Sequence, residues 1–108
     1  MHRLLRYQTP EGLEPVTLWL EGLPDPASRQ ALMRGIEGVG RSAPASGQYA
    51  PVREALFDLG PGVRLYYAPV AEGLLLLLCG SDPRALPMER DTASRFLEEY
   101  LSRSALAA

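Results

Sequence analysis

The chain has 108 residues, 46% of them hydrophobic and 22% charged, with a formal charge of −2. This balance excludes intrinsic disorder and any whole-molecule attraction to nucleic acid, and the length predicts a single domain over residues 1–108 with its own core. The basic residues are all arginine, eleven of them with no lysine, so contact with nucleic acid would need a local arginine patch. Cys79 is the only cysteine, which excludes an internal disulfide. No apolar run approaches the ~20 residues of a membrane span, and the start MHRLLRYQTPEG lacks the apolar segment of a secretory leader. The expected compartment is therefore the cytoplasm, with no membrane partner.

In chain order, RLLRYQ predicts a short first strand. LEPVTLWLEGL sets Leu13, Val16, Trp19, Leu20 and Leu23 at helical spacing, with Pro15 tolerable only in the first turn, so a helix is expected from about Pro15 to Gly22. In PDPASRQALMRGIEGVG, Asp25 is a good N-cap and Pro26 suits the first helical position. Ala27, Leu32, Met33, Ile36 and Val39 trace an apolar stripe that Gly38 and Gly40 are expected to stop. The two helices should form an antiparallel hairpin around LPDP. RSAPASGQYAP, residues 41–51, carries the turn formers of a loop.

After that loop the period becomes that of strands. VREALFDL alternates Arg53, Ala55, Phe57 and Leu59 with Val52, Glu54, Leu56 and Asp58, and GPG then turns the chain. VRLYYAP, a VAEG turn and LLLLLCG complete an expected three-stranded antiparallel meander. The leucine run has to be covered on both faces, which predicts a central strand. A last helix is expected from Pro87 to about Arg103, with Met88, Phe96, Leu97, Tyr100 and Leu101 apolar and Glu89, Arg90, Asp91, Glu98 and Glu99 solvated. The order is β-α-α-β-β-β-α, an α+β fold with an antiparallel sheet, a helical hairpin and a C-terminal helix.

Most local motifs point to structure. GIEGVG ends a helix instead of following a strand, so it is not a dinucleotide fingerprint. His2, the sole histidine, falls at an expected mobile terminus, which argues against His-based metal sites and Ser-His-Asp catalysis. No metal and no cofactor are implied. Cys79 and Trp19 read as core residues. Arg64 has two readings: the solvent-facing arginine of a hairpin, or a guanidinium held on a rigid sheet to meet a phosphate. Alternation puts Arg64 and Tyr66 on one face and Val63, Leu65 and Tyr67 on the other.

Taken together and in order, VTLWLEGL, GPGVRLYY, LLLLLCGSD and ERDTASRFLEEYL resemble the RelE/ParE superfamily of type II toxins, in its HigB-like (addiction module killer) branch. That branch carries a helical WL with an LKD turn, a V.ELR strand, GPGYRVYY, an LLLCGGDK strand and a helix containing RDI..A. The resemblance covers about residues 16–100. It implies a RelE-like small α+β domain and a toxin that cleaves messenger RNA on the translating ribosome, held in check by a cognate antitoxin, commonly of helix-turn-helix type. Such a metal-independent endoribonuclease supplies a base, an acid and cationic donors for the charge developing on phosphorus.

On this resemblance Arg64 is the phosphate-stabilising residue and Tyr66 the site phenol, with Tyr67 in the core. Arg84 replaces the lysine of GGDK as a catalytic residue, and Arg53 and Arg90 are the candidate RNA-binding arginines. The chain departs from the pattern at two places. Glu54, Ala55 and Leu56 stand where the branch has ELR, and Gly80, Ser81, Asp82 and Pro83 stand where it has GGDK. The alternative reading is a member that acts by protein contact, on an antitoxin or, as in the ParE branch, on DNA gyrase, without cleaving RNA. The enzyme reading predicts that Arg64, Arg84 and Arg90 converge beside Tyr66.

Overall fold

Where the apolar period shifts from 3.6 to 2, the chain passes from helices to sheet. The computed structural model describes residues 2–23, 25–42, 52–57, 63–81 and 90–107. Its elements are β1 (Arg3–Arg6), α1 (Pro15–Glu21), α2 (Pro26–Ser42), β2 (Arg53–Leu56), β3 (Arg64–Ala71), β4 (Leu74–Ser81) and α3 (Arg90–Ala107). They form an α+β unit of three helices and one four-stranded sheet, with strand order β1-β4-β3-β2.

Strands β2, β3 and β4 make the antiparallel meander. The sheet as a whole is mixed, which corrects the expectation of a purely antiparallel one: β1 pairs parallel with β4, from Arg3 opposite Leu74 to Arg6 opposite Leu77. A parallel partner needs a long connection, and α1, α2 and the meander supply it. The addition also gives β4 a neighbour on each edge, so its backbone groups are paired on both sides while its side chains are covered on both faces.

One face of the sheet packs under α3, whose Ala93 and Leu97 join Tyr7, Tyr66, Ala68, Leu76, Leu78 and Cys79. The other packs under α1 and α2, where Val16, Trp19, Leu20, Leu32 and Ile36 meet Val63, Leu65 and Leu77. Two register shifts interrupt the β3–β4 ladder. One leaves Val70 between the Pro69–Leu75 and Ala71–Leu74 pairs, next to a proline that cannot donate to a ladder. The other leaves Leu78 unpaired, between Tyr66–Cys79 and Tyr67–Leu77. Glu72 and Gly73 close the hairpin, with Gly73 in the left-handed region at φ 71°.

The helix starts follow the sequence chemistry. Pro15 opens α1. Asp25 caps α2, accepting from Ser28 N at 2.8 Å and Ser28 Oγ at 3.0 Å, and these bonds hold its carboxyl below the ordinary range. The expected stop at Gly38 and Gly40 is corrected, because α2 runs through both to Ser42. Gly40 serves close approach instead. A Cβ there would stand 3.2 Å from Leu4 Cδ2 and 3.5 Å from His2 O. His2 is buried: its N–H and its ring Nδ1 lie 3.0 and 3.2 Å from Gly40 O. Among the described residues no helix is long and apolar enough to cross a membrane.

Candidate functional site

The β2–β3 register decides which side chains meet. Leu56 lies opposite Arg64 and Glu54 opposite Tyr66, and directly opposed residues of an antiparallel pair share a face. Glu54, Arg64 and Tyr66 therefore stand on the α3 side of the sheet. Arg53 lies opposite Tyr67 and so belongs to the other face. The structure does not bring it to Arg64.

Arg90, the first residue of α3, arrives over the same edge. Its Nη1 donates to Val52 O at 2.5 Å, and its Nη2 lies 3.7 Å from Glu54 Oε2. Arg64 Nη1 lies 3.5 Å from that same oxygen. One carboxylate thus sits between two guanidiniums, and Arg64 has a further contact besides. The Arg64, Glu54 and Arg90 side chains are 34%, 34% and 50% exposed, so solvent screens the pairs and they add little to stability. What they do is hold three charged groups in one place.

The two tyrosines divide differently from the expectation. Their faces are as alternation requires, but Tyr66 is 3% exposed and sits in the cluster under α3, while Tyr67 is half-buried against the opposite cluster. Tyr66 is thus a core residue on the face that carries Arg64, opposite Glu54. Arg84 lies outside the described residues.

The far end of α3 carries a second polar cluster. Tyr7 Oη donates to Glu99 Oε1 at 2.7 Å, Arg103 Nη2 lies 2.9 Å from that oxygen, and the same Nη2 donates to Gln8 O at 2.6 Å. The Arg103 guanidinium stands 5.9 Å from the centre of the Tyr7 ring, which stacks on Phe96 at 4.9 Å. Burial first, and then the bond to Glu99, pushes the Tyr7 phenol up to about 12. Glu99 is therefore a structural anchor and not part of a purely solvated face. Helix α3 is tied to β1 at one end and to the start of β2 at the other, which fixes where Arg90 can reach.

Glu54 is the member of the site that sequence reasoning missed. Alternation groups it with Val52 and Leu56, and only the cross-strand register brings it beside Tyr66 and within reach of Arg64. Cys79, opposite Tyr66, is buried, and desolvation pushes its thiol up to about 12, so it offers no reactive thiolate. Comparison with protein-family models, with curated proteins and with solved structures finds no match to this chain.

Proposed function

We propose that the chain is a RelE/ParE-like toxin of the HigB-like branch, with that family's small-domain topology, acting in the cytoplasm as a messenger-RNA endoribonuclease under the control of a cognate antitoxin. The observation that carries the reading is the approach of Arg64 and Arg90 to one point, 3.5 and 3.7 Å from the same oxygen of Glu54. Two guanidiniums so held bring two cations to one anionic oxygen, which is what a phosphodiester in reaction needs.

In the reaction the RNA 2′-oxygen forms a bond to phosphorus, the P–O5′ bond breaks, and the 2′-proton passes to a base as the 5′-oxygen takes one up. Arg64 and Arg90 stabilise the charge that grows on the phosphoryl oxygens. Arg84 adds a further cation in this reading. Tyr66, buried on the same face, has a packing role in this reading. Arg53, on the other face, contacts RNA only outside the reacting centre.

The test is primer extension on a defined messenger in a cell-free translation system, comparing the wild type with Arg64→Ala, each with and without ribosomes. Cuts within codons that need ribosomes and vanish in the variant are expected. No cuts from folded wild-type protein would refute the ribonuclease. A second reading, action by protein contact on an antitoxin or gyrase, is favoured by the burial of Tyr66, which withholds the phenol from a substrate. It predicts tight association with the partner and intact messenger.

A further inference from the structure

A carboxylate at the focus of two arginines is an anion in the place where an incoming anion would bind. Arg90 is positioned independently of it, since Nη1 is held by Val52 O, leaving Nη2 directed at Glu54. Arg64 is positioned by its strand, opposite Leu56 on one side and Ser81 on the other. The pairs to Glu54 are long, at 3.5 and 3.7 Å, and a third to a half of each side chain is open to solvent. Such contacts exchange readily with another anion.

We infer that Glu54 is the resident occupant of an anion site formed by Arg64 and Arg90, and that a single-stranded RNA phosphodiester binds there by displacing it. The inference rests on the proposed ribonuclease reading for its ligand, but not on cleavage. Glu54 then acts as a built-in competitor. It makes weak, non-specific anions poor ligands. A phosphodiester anchored by the rest of an RNA chain outcompetes it.

The probe is a fluorescein-labelled 2′-O-methyl RNA decamer, which cannot be cut because the nucleophile is blocked. Binding is followed by anisotropy for the wild type, Glu54→Gln, Glu54→Ala and the double variant Glu54→Gln/Arg64→Ala. Removing one charge about 4 Å from the phosphate predicts roughly fivefold tighter binding for both neutral variants. It also predicts a steeper salt dependence, by about 0.7 in log–log slope for one more phosphate neutralised. The double variant should lose the gain. In the wild type, saturation with the decamer should shift the Glu54 carboxyl carbon resonance.

Neutral variants that fold and bind no tighter would overturn the inference, as would an unmoved Glu54 resonance at saturation. A gain seen for an acidic decapeptide and not for the RNA would overturn it too. The outcomes separate from the cleavage test: tighter binding with no cuts removes the ribonuclease and keeps the anion site, whereas cuts in the wild type with an unresponsive Glu54 do the reverse.

Discussion

Gly80 is the position where a single methyl group should do the most damage. It lies opposite Leu65 on the α1 side of the sheet, and the Trp19 ring rests directly on it. A Cβ at Gly80 would fall 1.8 Å from Trp19 Cδ2, 1.9 Å from Cε3 and 2.3 Å from Cε2. Those atoms belong to a rigid ring that is 3% exposed, so the ring cannot give way as a flexible chain end would. Overpacking of a tight core costs about 1–3 kcal/mol, and displacing a buried aromatic raises that toward about 3–5 kcal/mol. Gly80→Ala is therefore expected to lose about 2–4 kcal/mol. At an unfolding entropy of about 2.1 cal/mol/K per residue over a chain this size, Tm falls by about 9–18 °C.

Trp19 is the only tryptophan, so its emission reports the site directly. Urea unfolding followed by fluorescence should show a lower midpoint with an unchanged slope, and the native emission should move to longer wavelength as the indole is pushed toward water. The double variant Gly80→Ala/Trp19→Leu, which removes the clash, should be less destabilised than the two single effects added together. A Gly80→Ala protein with wild-type midpoint and emission would refute the packing reasoning.

Other expectations concern the polar cluster, the thiol and the site. Tyr7→Phe removes the donor to Glu99 and should cost about 1–2 kcal/mol by chemical denaturation, because a partly buried carboxylate is left one bond short. Both Tyr7 and Cys79 have raised values near 12, above their ordinary 10.0 and 9.0, so their contribution is complete below about pH 9 and is lost as pH rises toward 12. A denaturation series from pH 8 to 11 should show stability declining with alkalinity, and Cys79→Ser should flatten the part that begins near 9. Cys79 should react with an aromatic disulfide reagent at the rate of global unfolding; fast reaction in the native state would contradict its burial. On the ribonuclease reading, Arg90→Ala should weaken RNA binding with a reduced salt slope, and it should lower Tm as well, through the lost bond to Val52 O more than through the exposed ion pair.

Residues with one dominant physical role could be read from sequence alone. The leucine run could only be a strand covered on both faces, and Asp25-Pro26 could only open a helix; the structure has both. What escaped depended on pairing. Gly38 and Gly40 look like a stop because glycine costs about 1 kcal/mol in a helix, but tertiary contact with Leu4 and His2 outweighs that local penalty. The parallel seat of β1 has no local signature, since RLLR reads the same in either direction of pairing. At the site, alternation assigned faces correctly to Arg64 and Tyr66 but could not say that Tyr66 lies under α3, nor that Glu54 stands between two arginines. Those facts belong to register and helix placement, which connect residues far apart in sequence.

The unpaired Leu78 has a consequence for how this strand can change over time. In an uninterrupted strand Leu76, Leu78 and Gly80 would face one way and Leu77 and Cys79 the other; the extra residue resets the count, so that Cys79 turns toward α3 and Gly80 toward Trp19. The strand therefore has two halves in opposite phase, joined at one residue. Point substitutions can vary each half separately, and losing residue 78 would make Leu77 and Cys79 neighbours in the ladder as they already pair, so that Cys79 stays toward α3 and Gly80 toward Trp19 while the core under α3 loses the Leu78 side chain. The extra residue is consequently a reserve of length: a residue lost elsewhere in β4 can be made good by drawing Leu78 into the ladder, so lineages of this fold should lose the bulge before they exchange the two faces of the strand.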